Sequence, residues 1–283
     1  MDQASEREQD LELDKKQEKR LPKARRHVRA VPIQRGYYRK DRANLKEGEL
    51  LIVQDYTKHD KDINTTTQQD HIVVMYWKEG GAEHYIMEHY IGSDGLKNDV
   101  RYSMHVWDIL QYHERVQAAT RLIVWSDNGP KHFKLTSYLS FMSHWSSATS
   151  KQVSLRFNAP YHGACVADSA AAHLKMATER HINKTGDNMK DPESLVRLAN
   201  KLRSHSGALV GLSKDSSKPS VKTWTGITQY YHWEAQGNGT MLAWDTTQDF
   251  YDDVAPISYD PDPDDFIPYI TSGEDGRLVY RVM

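Results

Sequence analysis

Apolar positions along the chain fall into two kinds of run. Leu50-Leu51-Ile52-Val53-Gln54-Asp55 and Arg121-Leu122-Ile123-Val124-Trp125-Ser126-Asp127 are nearly unbroken, as in strands buried on both faces, and each ends in an aspartate. Residues 71–77 and 84–91 are rich in β-branched and aromatic side chains, and Glu79-Gly80-Gly81 between them predicts a hairpin turn. Helical spacing of apolar residues predicts helices over about 98–118, from Pro130 to about 146, over about 164–181 (an alanine-rich stretch), and over 192–204. Residues 153–157 read as a further short strand. The Gly/Ser/Lys stretch 211–222 reads as a linker or long loop, and 224–233 and 240–244 as short strands of an appended β unit. Residues 1–20 are almost wholly polar.

Composition narrows the function classes. Across 283 residues, 38% are hydrophobic and 27% charged, enough for one large α/β domain with extensions. No apolar run approaches the roughly 18 residues of a membrane-spanning helix, and the charged first thirty residues do not fit a secretory signal. A single cysteine, Cys165, excludes an internal disulfide and a cysteine-based zinc module, and fits a reducing compartment.

The net charge of −2 conceals two opposed segments. Residues 15–46 carry thirteen Lys/Arg against Glu18 and Asp41, a local +11, while residues 245–283 carry ten Asp/Glu against Arg277 and Arg281, a local −8. Opposed charge of this size predicts a polyanion as partner, or each segment as partner of the other. The cluster Lys23, Arg25, Arg26, Arg29 fits a nuclear-import signal or a phosphate-contacting arm, and equally a solvated charged helix. The expected division is a basic, partly disordered arm over 1–47, a central domain over 48–206, and a β-rich extension with an acidic tail over 207–283.

Candidate chemistry lies with three aspartates. A carboxylate at the carboxyl end of a buried strand sits where open α/β sheets place their sites, which singles out Asp55 and Asp127. Asp127 opens the turn Asn128-Gly129-Pro130, and a third acid, Asp168, follows in Asn158-Ala-Pro-Tyr-His162-Gly163-Ala164-Cys165-Val-Ala-Asp168. Any one such aspartate is ordinarily a turn or cap residue; three in order, each in such a context, point to a shared site. On a helical wheel Asp168, Ala172, Lys175 and Glu179 share one face, opposite Val166, Ala170, Leu174 and Ala177.

These segments together, over roughly residues 27–182, resemble the core of a eukaryotic transposon-derived DDE/D transposase of the retroviral-integrase-like, ribonuclease H-like superfamily. The resemblance implies a fold: an α/β ribonuclease H-like mixed sheet of order βββαβαβα, flanked by helices, with the basic arm before it and a small β-rich extension after it. It also implies a site in which Asp55, Asp127 and Asp168 are both catalytic residues and ligands of two Mg²⁺ or Mn²⁺ ions. Lys175, His162 and Lys131 would contact nucleic acid beside that site, joined by Lys23, Arg25, Arg26 and Arg29 of the arm. The lysine and glycines of the resembling proteins are replaced here by Ala164 and by Ser169-Ala170-Ala171-Ala172, which keep the side chains small.

The expected activity is metal-dependent DNA strand cleavage or transfer, in the nucleus, with DNA as partner, a possible homo-oligomer, and neither membrane nor small-molecule substrate. Two other readings stay open: a DNA- or chromatin-binding descendant without chemistry, and a ribonuclease H-type nuclease acting on RNA–DNA hybrids. The aromatics of the last sixty residues, Trp224, Tyr230, Tyr231, Trp233, Trp244, Phe250 and Tyr251, are expected in a core or against a protein partner rather than stacked on bases, given the acidic charge around them.

Overall fold

The computed structural model describes residue 25 and residues 28–59, 68–92, 100–127, 133–159, 166–187, 189, 191–210, 219–237, 239–260, 271–272 and 278–279. Helix α1 covers residues 28–43. It is followed by strands β1 (Glu49–His59), β2 (Gln68–Glu79) and β3 (Ala82–Gly92), helices α2 (Val100–Leu110) and α3 (Glu114–Ala118), and strand β4 (Arg121–Ser126). Helix α4 (Thr136–Thr149), strand β5 (Gln152–Phe157), helices α5 (Val166–Thr185) and α6 (Pro192–Ala199) and strand β6 (His205–Val210) come next. The chain continues with strands β7 (His232–Gly237) and β8 (Thr240–Trp244), helix α7 (Thr247–Tyr251) and strand β9 (Ile257–Tyr259).

Strands β1 to β9 form one mixed sheet in the order β6-β3-β2-β1-β4-β5-β7-β8-β9, and Thr271–Ser272 pairs antiparallel with Leu278–Val279 in a separate two-stranded sheet. Strands β1, β2 and β3 are antiparallel neighbours, β1, β4 and β5 are parallel, and β6 lies parallel to β3. The β2–β3 turn is the predicted Gly80-Gly81, and both glycines have positive φ, 60° and 79°, as a two-residue hairpin turn demands.

The unbroken apolar runs of β1 and β4 are explained by helices on both faces. Leu50, Ile52, Leu122 and Val124 point to one side, where Trp107 of α2 and Phe141 and Trp145 of α4 cover them. Leu51, Val53, Ile123 and Trp125 point to the other, against Ala167 and Ala170 of α5 and Tyr37 of α1. Each such fully buried branched side chain contributes about 1.5–3 kcal/mol by leaving water. The small residues of α5 let its backbone approach the sheet closely, and that approach sets where Asp168 sits.

Several boundaries differ from expectation. Strand β1 does not end at Asp55; it runs to His59, because β2 begins at Gln68 and pairs with it over the whole length. The helix expected over 98–118 breaks after Leu110, and His113 Nδ1 accepts from Arg115 N at 3.1 Å to start α3 afresh. Helix α4 starts at Thr136 rather than Pro130, since Phe133 and Lys134 are driven into the core and Leu135 is extended. Helix α6 ends at Ala199, not 204, and the following turn leads into β6, a strand the sequence pattern did not announce. Only the end of 224–233 is a strand: Trp224 N bonds Thr136 Oγ1 at 3.0 Å, Ile227–Gln229 form a 3₁₀ turn, and β7 begins at His232.

Both flanking segments attach to the sheet. Strands β7, β8 and β9 extend it beyond β5, burying Trp233, Trp244 and Tyr231, whereas Tyr251 is half exposed. The inner part of the basic arm is α1, a docked helix that buries Ala30, Gln34, Tyr37 and Asp41. Gln34 joins three segments: Nε2 donates to Phe157 O (3.0 Å) and Tyr231 O (3.3 Å), and Oε1 accepts from Thr247 N (3.0 Å).

Candidate functional site

The parallel ladder between β1 and β4 has Gln54↔Ser126 as its last pair. The next residue on each strand is an aspartate. Side chains alternate along a strand, so Asp55 and Asp127 project on the face of Val53 and Trp125, the one covered by α1 and α5. Beyond this point β1 keeps its partner β2, while β4 is closed off by Asn158 N donating to Ser126 O at 3.0 Å. The two acids therefore flank a notch where one strand leaves the sheet. Asp168 enters from above, exposed in the first turn of α5 and flanked by the buried Ala167 and Ala170.

Electrostatics tie the three together. Asp55 and Asp127 are half-buried. The Asp55 carboxyl is pushed up to about 7, first by burial, then by the charge of Asp127 and more weakly by that of Asp168. One contact works the other way: Tyr56 N donates to Asp55 Oδ1 at 2.7 Å and favours the ionised form. Burial, together with the charge of its two acidic neighbours, lets Asp55 hold a proton near neutrality, and a cation would relieve it. The donors are carboxylate oxygens, the set preferred by Mg²⁺ and Mn²⁺. Among the described residues no group of three His, Cys, Asp or Glu side chains is arranged to hold a metal ion. The chemistry of the donors thus fits a hard divalent ion, while a closed coordination set is not assembled.

Behind the acids lies a buried polar network that sequence reasoning missed. Gln54, fully buried, donates from Nε2 to Ser126 Oγ (2.8 Å) and to Tyr138 OH (2.7 Å), and its Oε1 lies 3.2 Å from His71 Nε2. Trp107 Nε1 donates to the same Tyr138 hydroxyl at 2.8 Å. The Tyr56 ring stacks on Phe133 at 5.2 Å, and its hydroxyl meets Ser103 Oγ at 2.6 Å. The signal was present in the sequence: a polar residue, Gln54 or Ser126, stands immediately before each aspartate at the end of an apolar run.

The candidate nucleic-acid contacts are placed as follows. Lys175 is exposed on α5, two turns beyond Asp168, in a stripe with Ala172 and Glu179 that is exposed throughout. Arg25 is exposed. Arg29 is half exposed and its Nη2 lies 2.7 Å from Asp249 Oδ1, so here the basic arm meets the acidic C-terminal segment. Lys23, Arg26, Lys131 and His162 lie outside the described residues, as do Cys165 and the 128–130 turn.

A family model described as a domain of unknown function (DUF8701) matches residues 34–219. No curated protein matches the chain. The matched span contains all three aspartates and strands β1 to β6, and stops before β7.

Proposed function

The chain belongs to the DUF8701 family, and we propose that its sheet notch performs metal-dependent phosphodiester cleavage or strand transfer on DNA, in the manner of a transposase-derived, ribonuclease H-like domain. The observation that carries this reading is the position of Asp55 and Asp127, one residue beyond the last register pair of two adjacent parallel strands, with the Asp55 carboxyl pushed up to about 7 by burial and by Asp127 and Asp168. The strand order supports it: three antiparallel strands, then β4 and β5 parallel to β1, with helices after β3, after β4 and after β5.

In this reading Asp55, Asp127 and Asp168 hold Mg²⁺ or Mn²⁺. Such a bound pair of ions supplies activation of the attacking oxygen and stabilisation of the leaving one. The protein's part is positional. Burial and its acidic neighbours favour the protonated Asp55 carboxyl, whose charge a bound cation would restore, and the Tyr56 N–H holds its Oδ1. Gln54 and Ser126 hold the two strands in register one residue earlier. Lys175, on the exposed side of α5, would meet a phosphate beside Asp168, and the basic residues before α1 would add charge along the strand and direct the protein to the nucleus.

The test is nicking of supercoiled DNA with Mg²⁺ or Mn²⁺ by wild type, Asp127→Asn and Asp168→Asn. Asparagine keeps shape and removes the charge that holds a cation. Both variants should fold and lose cleavage to a similar extent, because ligands of one site act as a unit. A DNA-binding protein without chemistry is the second reading, favoured by Ala164 where the resembling proteins carry lysine. DNA binding by wild type with no cleavage under either ion would make that second reading the better one.

A further inference from the structure

A second cluster of ligating side chains lies on the same side of the sheet, on β2, β3, β6 and the later part of α5. Asp70 of β2 and His89 of β3 are both fully buried, with Asp70 Oδ2 2.8 Å from His89 Nδ1. His89 Nε2 lies 3.0 Å from Nδ1 of His205, the first residue of β6, with 9° between the ring planes. His173, exposed on α5, brings its ring to 5.7 Å from that of His205, tilted by 58°.

With Asp70 ionised and His89 neutral, hydrogen-bond logic sets the protons along this chain. An ionised carboxylate only accepts, so His89 donates from Nδ1 to Asp70 and presents a bare Nε2. His205 must then donate from Nδ1, and its own Nε2 is left as a lone pair. His205 is half-buried beside His89 and His173. A neutral imidazole whose other nitrogen is anchored through a relay to a carboxylate is the arrangement found in histidines that bind metal, where the outer partner sets ring orientation and raises basicity.

We propose that His205 and His173 form a binding site for a borderline divalent transition ion of the Zn²⁺ class, with His89 and Asp70 as positioning residues. Two imidazoles sharing one tetrahedral ion at metal–nitrogen distances of about 2.0–2.1 Å have ring centroids about 5–6 Å apart, and the observed separation of 5.7 Å lies within that span. Two protein ligands leave the remaining positions to water, so the ion is exchangeable. Imidazole suits Zn²⁺, Ni²⁺ and Cu²⁺, whereas the carboxylates of the notch suit Mg²⁺ and Mn²⁺, so the two sites select different ions.

The place of the site gives it a consequence. β6 is the edge strand, held by β3 and by α6, whose close approach requires Gly207: a Cβ there would lie 3.0 Å from Ala199 Cβ. α5 carries both His173 and, five residues earlier, Asp168, about 7.5 Å along the helix axis. An ion bridging α5 to β6 would pin the helix that delivers Asp168 to the notch.

The experiment is calorimetric titration of metal-free full-length protein with ZnCl₂, alongside melting curves. Wild type should bind one Zn²⁺ in the micromolar range and melt at higher temperature in its presence, because an ion that binds only the folded chain stabilises it. His173→Ala, on an exposed helix surface, should fold normally and weaken binding at least tenfold, and His205→Ala should do the same. His89→Gln should weaken it about 10- to 100-fold, as loss of an outer partner does. Asp127→Asn should leave Zn²⁺ binding unchanged even if it ends DNA cleavage, so this site and the carboxylate site stand or fall separately. Absence of Zn²⁺ binding by wild type at millimolar metal, or undiminished binding in the folded His173→Ala protein, would overturn the proposal.

Discussion

Gln54 and Ser126 are the last register partners of the β1–β4 ladder, and the side chain of one donates to the other at 2.8 Å. The bond couples the two strands one residue before each delivers its aspartate. It also sits in a fully buried network that includes Tyr138 and His71. Gln54→Leu keeps approximate volume but leaves two hydroxyls and an imidazole without this partner, each buried unsatisfied group costing about 1–3 kcal/mol. The expected result is a lower urea midpoint with an unchanged slope. If the notch cleaves DNA, the catalytic rate should fall more than DNA affinity, since the acids lose alignment and the basic surface is untouched. A variant as stable as wild type would show that Gln54 does not bind the strands together.

Asp55 titrates in an unusual direction, which gives a prediction with a definite sign. Its carboxyl rises from the ordinary aspartate value of 3.8 to about 7 in the folded chain. Between these values the folded chain holds a proton that the unfolded chain has released. Stability is therefore lost as pH rises through that window, the reverse of a salt-bridged aspartate. In metal-free buffer Asp55→Asn should gain on wild type as pH goes from 4 to 8, read as a widening difference in melting temperature. Mg²⁺ should narrow that difference at pH 8 by stabilising wild type alone. A difference that stays constant with pH would mean that Asp55 titrates normally.

What was legible in the sequence follows from how locally each feature is determined. The cores of β1 and β4 were readable because burial on both faces demands unbroken apolar runs, and the β2–β3 hairpin because Gly80-Gly81 supplies two positive φ angles. The continuation of β1 through Tyr56-Thr57-Lys58-His59 was not, since its pairing depends on β2, a partner separate in sequence, and its composition is polar. β6 was hidden for a similar reason: a six-residue strand containing Gly207 acquires its conformation from β3 and α6. The three aspartates were found by position. The network of Gln54, Tyr138 and His71 was not, because it joins residues up to 84 positions apart.

Lys134 shows a cost of the late start of α4. Its ammonium is buried, donates to Thr228 O at 3.1 Å and lies 4.5 Å from the centre of the Tyr231 ring. Burial pushes its pKa well below the usual lysine value, with Asp245 opposing weakly. The unfolded chain then binds more protons than the folded one below the ordinary lysine range, so this residue makes stability rise with pH. Lys134→Met fills the same channel with an uncharged chain. It should raise the melting temperature at pH 6 and flatten the alkaline rise; a loss of stability at pH 6 would mean that the bond to Thr228 outweighs the desolvation.

The basic arm divides at α1, and this changes how its role in DNA binding is tested. Removing residues 1–46 would delete α1 with its buried Ala30, Gln34 and Tyr37, so weaker binding could come from misfolding alone. Removing residues 1–27 keeps α1 and still discards Lys23, Arg25 and Arg26. Each phosphate that is no longer neutralised should flatten the log–log dependence of DNA affinity on salt by roughly one. Truncation at 27 should therefore reduce the slope by about 2–3 if these residues touch the backbone, and an unchanged slope would remove them from the interface.

The seam between α1 and the sheet turns on a buried charge pair. Trp125 Nε1 donates to Asp41 Oδ2 at 2.8 Å, and Arg156 of β5, fully buried, pairs with the same carboxylate oxygen. The Arg156 guanidinium thus shares this carboxylate with the Trp125 indole. Its Nη2 donates to Tyr251 OH at 3.2 Å, and Tyr251 stacks on Tyr37 of α1 at 5.1 Å. Breaking a buried pair on one side leaves an uncompensated charge, which costs about 3–5 kcal/mol. Asp41→Leu and Arg156→Met should each fall in that range by urea denaturation. The double variant removes both charges, and should cost clearly less than the two single losses added together, because the residues share one interaction. Additive losses would mean that each side chain acts through other neighbours, with Asp41 serving Trp125 and Arg156 serving Tyr251 independently.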